Sequence, residues 1–412
     1  MKVTGRYPAS KCKRHLDIVL GKMLQPTATT ELDRSIPYIR AANVQWGQVD
    51  WSDLKEMWFS PTDRKKYTLK DGDLVVLEGG DAGRCAILQD VPSKLGFQNS
   101  IHRVRARKGT ELRFAYYWMA HLKSFGYLDL ICSKATLAHF TGEKFAESPF
   151  PILDLSTQRE IADFLDRETA RIDLLIEKKQ KLVDMVAPRF EALVHEARKT
   201  GVWQRFGFSA EAKPRPISKY EDAAYVPLGL YNRGRGFFKK PETAHEHLGD
   251  SSFFFVEKGD LVFSGQFAWE GAVGLVSKNE QGCVVSHRYP VYAGINGILS
   301  EYLFAYFRSH HGQFLMENCS RGAAGRNRPL STRILEKEKI PIPTIALQEE
   351  VATLIEFERR LKDKTTPSID RLKEYRSALI TAVVTGQIGV TTCAKSGATD
   401  RRLDAIQEEM GA

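Results

Sequence analysis

Shifted along itself by about 185 to 190 residues, the chain repeats, and that repeat restricts its fold more than any other feature. Tyr38, which opens YIRAANVQWG, faces Tyr225, which opens YVPLGLYNRG. DGDLVVLEGGDAGRCAIL, from Asp71, faces KGDLVFSGQFAWEGAVGLV, from Lys258. His102-Arg103 faces His287-Arg288, ELRFAYYWMAHL faces SEYLFAYFRSH, and Cys132-Ser133-Lys134 faces Cys319-Ser320-Arg321. FPILDLSTQREI then faces IPIPTIALQEEV, and LVHEARKTG, ending at Gly201, faces LITAVVTG, ending at Gly386. Matches in one order, with offsets that drift by a few residues, point to duplication. The period is far longer than the roughly 20–50 residues of a solenoid repeat, so each copy is a domain with an appendage.

The first part of each copy reads as mixed α/β. LVVLEGG and CAILQDV, with FFFVEKGDLVFSG and GAVGLVS in the second copy, are short β-favouring runs broken by Gly and Asp. The aromatic stretches FAYYWMAHLKSF and EYLFAYFRSHHGQFLMEN have the spacing of amphipathic helices packed on those strands, so their aromatics are expected in the core. A content of 42% hydrophobic and 10% aromatic residues suffices for such cores.

The second part of each copy reads as a long helix. STQRE offers Thr157 as an N-cap whose partner in a capping box is Glu160. Leu165, Ile172, Val186 and Leu193 recur at sevens, with Ile161, Leu175 and Leu182 between them, interrupted by Glu168, Lys179 and Arg189. Pro188 is expected to kink or break this helix near its end. The matching stripe is Val351, Leu354, Leu361, Ile369, Leu372, Leu379 and Val383, with a break expected at Pro367 and no capping box. Each helix closes on Thr-Gly, where Gly is expected to take the left-handed conformation. With one apolar seam apiece, the helices need partners, and each is the obvious partner of the other. Packed antiparallel, they give an α+β chain: two α/β domains separated by two long helices in a coiled coil with pseudo-two-fold symmetry. The expected boundaries are 1–155 and 202–343 for the domains, 156–201 and 344–390 for the helices, and 391–412 for a polar tail.

Lys and Arg outnumber Asp and Glu by 60 to 51, a net charge of +9 that favours a polyanionic partner. The six cysteines stand far apart with no CxxC pair, so neither a zinc ribbon nor a disulfide framework is expected. The basic N-terminus has no signal-peptide core, and no run reaches the roughly 18 apolar residues of a membrane helix, so a cytoplasmic protein is expected. A two-headed arrangement suits a bipartite ligand, and half-sites on one face of DNA lie about 34–36 Å apart.

Candidate DNA-contacting residues cluster in the loops. In the first copy they are Arg40, Asn43, Trp46, Arg84, Asn99, His102, Arg103, Arg105, Arg107, Lys134 and His139. In the second they are Asn232, Arg233, Arg235, Gln266, Trp269, His287, Arg288, Arg321, Arg326, Asn327 and Arg328. Arg pairs bidentately with guanine, Asn and Gln do so with adenine, and all of them also hold phosphate. Glycines in GGDAGR and SRGAAGRNR allow close approach of the backbone. Nothing places a carboxylate or nucleophile in sequence beside His102 or His287, so neither reads as catalytic.

The duplicated GDL, Gly-rich and strand unit, the segments FPILDLSTQREIADFLD and IPIPTIALQEEVATLIE that lead into the helices, and the terminal SALITAVVTGQI resemble the specificity subunits of type I restriction-modification systems. The resemblance runs from about residue 15 to 390. It implies two target-recognition domains, each reading half of an asymmetric, interrupted site in double-stranded DNA, and helices that dock two modification subunits. Those subunits would carry N6-adenine methylation, and ATP-dependent restriction subunits would carry cleavage. The chain itself is then expected to be non-catalytic, without cofactor or metal.

Two other readings are weaker. A DNA methyltransferase would carry a methyl-donor Gly motif and an Asn/Asp-Pro-Pro-aromatic motif, and neither occurs; nor does a GxxxxGK[ST] loop. A nuclease leaves no discriminating pattern here. A coiled-coil scaffold explains the heptads and leaves two basic domains with matched loops unexplained.

Overall fold

The computed structural model describes residues 3–132, 139–217, 223–320, 328–390 and 398–408. The chain divides into two compact units, Met1–Lys178 with Thr366–Ala412, and Lys179–Thr365.

In the first unit an antiparallel sheet runs in the order Leu16–Leu20, Ile101–Ala106, Leu74–Leu77, Cys85–Ile87. LVVL is buried throughout because both faces of the sheet are covered. Leu74 and Val76 enter a core with Phe114, Trp118 and Ile161, while Val75 and Leu77 enter another with Ile39, Phe97 and Ile101. Alternate side chains leave opposite faces of a strand, so such a strand needs an unbroken apolar run. The aromatic helix Leu112–Ser124 supplies Phe114, Tyr117 and Trp118 to the core. A two-stranded pair, Ala9–Lys11 with Pro149–Pro151, joins the start of the module to the approach of the long helix.

The second unit repeats the plan: Ala210–Ala212, Val291–Gly294, Leu261–Phe263 and Val273–Leu275 in the same sheet order, with Val202–Arg205 paired to Lys339–Ile342. The peripheral strands differ. The first unit adds a three-stranded sheet of Arg34–Ile39, Lys55–Phe59 and Gly96–Phe97, where the second has separate two-stranded pairs.

Two polar devices are duplicated with the sheets. Asp73 and Asp260 of the GDL turns are buried, and each caps its own turn by accepting a backbone N–H, from Lys70 at 3.0 Å and from Glu257 at 2.7 Å. Each then takes a guanidinium from a different place, Arg105 in the first unit and Arg215 in the second. Gln158 and Gln348 are likewise buried. The oxygen of Gln158 accepts the N–H of Glu111 at 3.0 Å, that of Gln348 accepts the N–H of Leu299 at 2.8 Å, and their amides donate to the carbonyls of Leu153 and Pro343. Each Gln therefore locks a long helix to the start of its module's aromatic helix.

The first long helix runs Leu155–Asp184 and resumes as Ala187–Thr200, with Pro188 in the first turn of the second piece, where a missing N–H is harmless. The other long helix runs Ile345–Val384. Asp173 pairs with Arg376 at 2.9 Å in the first unit, and Arg189 with Glu350 at 3.3 Å in the second. The helix seams bury Ile161, Phe164, Leu165 and Ile172 with Leu372, Leu379 and Val383 in one core, and Val186, Phe190 and Val194 with Val351 and Ile355 in another.

Several local expectations are corrected. Asp154 caps the first long helix, accepting both the backbone N–H and the hydroxyl of Thr157 at 2.9 and 2.6 Å; Thr157 is inside the helix. Pro367 does not break its helix, which continues through it from Ile345 to Val384, and Pro367 lies on the exposed side. Leu182 is 51% exposed, and after the interruption before Ala187 the buried positions are Phe190 and Val194, with Leu193 partly buried against the same core. Gly386 is left-handed as expected, but Gly201 is extended, and is glycine because a Cβ there would meet the carbonyl of Ala197 at 2.5 Å. Part of the supposed polar tail is a helix, Ala398–Glu408, whose Leu403 and Ile406 enter the first unit's core. Cys12, Cys85, Cys132, Cys283 and Cys319 are buried and form no disulfide among the described residues, and Cys393 lies outside the described residues.

Candidate nucleic-acid interface

Each module closes one edge of its sheet with three segments that meet. In the first, the N–H of Glu78 donates to the carbonyl of Ser100 at 2.9 Å, and the carbonyl of Glu78 accepts from Phe140 at 2.6 Å. In the second, Gly265 donates to Arg288 at 2.7 Å and accepts from Leu330 at 2.8 Å. The strand end, the turn before the next strand and the loop after the aromatic helix thus build one rim twice.

The second module's rim carries exposed cationic and amide groups. Arg288, His287 and Gln266 are exposed. Arg328 stacks over Trp269, 5.3 Å from the ring centre, and the Trp269 indole donates to the carbonyl of Gln266 at 3.1 Å. The loop of Asn232, Arg233 and Arg235 is tied to the same place. Arg233 donates from its backbone to Glu270 at 3.0 Å, Asn232 donates its amide to the Glu270 carboxylate, and Arg235 stacks over Tyr231. Arg233 is left-handed at φ 60, an uncommon conformation for a residue with a side chain, held by the backbone bonds on either side of it. Eight of the proposed residues therefore share one surface: Asn232, Arg233, Arg235, Gln266, Trp269, His287, Arg288 and Arg328.

The first module distributes its candidates differently, and four of them belong to the scaffold. Asn43 is buried, accepting from the N–H of Arg40 and donating to the carbonyls of Asp50 and Asp53. His102 is buried against Phe140 and Phe145, with Nε2 on the carbonyl of Phe140 at 2.8 Å, and burial holds its pKa below the usual histidine value. Arg103 is buried and donates to the carbonyl of Lys66 at 2.7 Å. Arg105 is spent on Asp73. Asn43, His102 and Arg103 are buried and held by internal partners, whereas Arg105 is partly exposed and committed to the buried Asp73.

Of the rest, Arg40 pairs with Asp53, Arg84 donates to the side chain of Gln45 at 3.3 Å, and Arg107 donates to the carbonyl of Leu16 at 3.2 Å. Trp46 lines a cleft with Tyr116, Asp173 and Arg376. Asn99 and the exposed His139 stand on the rim beside Glu78. Lys134, Arg321, Arg326 and Asn327 lie outside the described residues. Glu78, Tyr231 and Glu270, which the sequence does not single out, also stand among these loops. The signal for Glu78 was its place directly before Gly79-Gly80, at the end of a buried strand.

Among the described residues no group of three or more His, Cys, Asp or Glu could hold a metal ion. What the second rim presents is guanidinium, amide and indole: chemistry for clamping phosphate and reading base edges.

Comparison with known proteins gives consistent results. A family model described as Type I restriction modification DNA specificity domain matches residues 21–183. No curated protein matches. A solved structure titled for complex assembly and conformational transition of the type I R-M system aligns over 93% of this chain and 98% of its own, at 12% identity and a TM-score of 0.55. The S subunit of a type I restriction-modification system from M. genitalium aligns over 92% and 96% of the two chains, at 14% identity and a TM-score of 0.47. At 12% identity the likeness to the first of these structures is one of fold.

Proposed function

We propose that this chain, which carries a type I restriction-modification DNA specificity domain over residues 21–183, reads a two-part asymmetric DNA site and directs partner subunits to it. The observation that carries this reading is the twice-built rim. One backbone framework recurs in both modules, and the side chains upon it differ, so each module is suited to its own half of a site.

Residues 1–155 and 202–343 are the reading domains in this proposal, and 156–201 and 344–390 are the helices that set their spacing and dock two modification subunits. Methylation of adenine N6 and, with restriction subunits, cleavage belong to those partners. The chain contributes recognition alone and works in the cytoplasm on double-stranded DNA. Phosphate neutralisation by exposed Arg supplies most of the affinity, and a minority of side chains choose bases.

The test is an exchange of residues 20–150 for the same segment of a relative, followed by mapping of N6-methyladenine in cells that also make the modification subunits. One half of the methylated motif changes and the other stays. A change in both halves, or no two-part motif from the unaltered chain, overturns the reading.

A further inference from the structure

At the meeting point of the three rim segments the central position differs in kind between the two modules. In the second module the position is Gly265, and a Cβ placed there would lie 2.5 Å from the carbonyl oxygen of Arg288. That framework accepts no side chain. In the first module the position is Glu78, with the same two backbone bonds, to Ser100 and from Phe140, and room for a carboxylate.

Glu78 differs from other acidic residues of its module. Asp53 holds Arg40 and Lys55, Asp73 holds Arg105, and Asp81 holds Lys123 at 3.1 Å. The Glu78 carboxylate is half-buried and makes no hydrogen bond or ion pair among the described residues. Burial raises its pKa, opposed only by the nearby His139. An ionised carboxylate is an acceptor without donors. Half-buried without a partner among the described residues it is costly, and beside phosphate it is repelled. A rim that holds it firmly by backbone on both sides presents it to something that donates.

We propose that Glu78 is a specificity-determining acceptor of the first module, taking a hydrogen bond from the exocyclic amine of a base and excluding phosphate from its place on the rim. In the major groove that amine is cytosine N4 or adenine N6. The inference rests on the DNA-reading function proposed above and assigns it one residue and one chemistry. It also divides the modules by type. At the equivalent point the second presents no side chain and is flanked by Arg288 and Arg328, groups suited to phosphate and guanine.

The experiment uses the full chain with its modification subunits and duplexes randomised over the recognised site. Glu78→Ala lowers discrimination about tenfold at one base pair of one half-site and leaves the other half unchanged. Glu78→Gln, which keeps the size and adds donors, shifts tolerance at that same pair while preserving the unfolding midpoint. Replacing the chosen base by an analogue that lacks only the exocyclic amine weakens binding by the unaltered chain and not by Glu78→Ala, and the base required tells cytosine from adenine. If both variants keep the unaltered preference, or the change falls in the other half, the proposal is overturned. If the unaltered chain selects no two-part site, it is the DNA-reading function that fails.

Discussion

Glu358 accepts two hydrogen bonds from the guanidinium of Arg308, at 2.7 and 3.0 Å, in a contact roofed by the rings of Phe190 and Phe304. It ties the aromatic helix of the second module to the long helix beneath it. Burial works to raise the Glu358 carboxyl, and Arg308 and Lys362 together hold it below the ordinary glutamate value.

Removing one partner of such a buried pair leaves an uncompensated charge. Glu358→Gln is therefore expected to destabilise the chain by about 3 kcal/mol, read as a shift in denaturant midpoint at neutral pH. A folded-state pKa held low contributes stability that is present above the unfolded value of about 4.3 and is lost as pH falls through the folded value. The penalty for Glu358→Gln should shrink on acidification through that window, and a penalty constant with pH contradicts the assignment.

Gln158 and Gln348 should behave as a matched pair. Truncating either to Ala leaves a backbone N–H of the aromatic helix start, that of Glu111 or Leu299, without its acceptor. The expected cost is about 1–3 kcal/mol apiece. The two costs should add in the double variant, since the sites share no partner. Equilibrium unfolding of the two single variants and the double variant decides it, and strong non-additivity refutes independent locks.

Salt dependence separates the exposed guanidinium groups from the occupied ones. Arg288 is exposed and uncommitted among the described residues, whereas Arg105 is held by Asp73. Arg288→Ala should reduce the slope of log affinity against log salt by about 0.9, one phosphate contact. Arg105→Ala should leave that slope alone and lower stability instead. Reversal of these roles in a binding titration disproves the division drawn from burial.

The C-terminal helix should prove structural. Leu403 is buried in the first unit's core, and Arg171 reaches Asp400 at 2.6 Å. Leu403→Ala is expected to cost about 2 kcal/mol, while Asp400→Ala, at an exposed pair, costs well under 1 kcal/mol. Thermal unfolding of the two variants provides the comparison.

Much of this architecture is legible before any coordinates. Duplication, short buried strands, aromatic core helices and long amphipathic helices all leave periodic or repeated marks. The turn at Asp73 is legible as GDL, yet its partner is not. Asp260 solves the same problem with Arg215, so the guanidinium is a tertiary choice that local sequence does not record. That is why Arg105 reads as a DNA contact when it is an internal counter-ion. His102 and Arg103 mislead for a related reason: polar residues on a central strand look available until the strand is seen to be covered. The choice between Asp154 and Thr157 as cap turns on where the chain leaves its preceding strand, and both are good capping types. Glu78 lay within the duplicated segment and stayed inconspicuous because acidic residues are discounted when a polyanion is the suspected partner.

The amide of Arg6 donates to the carbonyl of Thr385 at 3.0 Å, and Gly386 packs against the ring of Tyr7. The end of one long helix is thereby delivered to the first strand of the first module. For the second module the same delivery is made by a peptide bond, since Gly201 passes directly into Val202–Arg205. The same junction of helix end and module start is thus made by a hydrogen bond in one copy and by a covalent link in the other, so cutting the chain after Gly201 would leave the second module joined to its helix in the way the first already is.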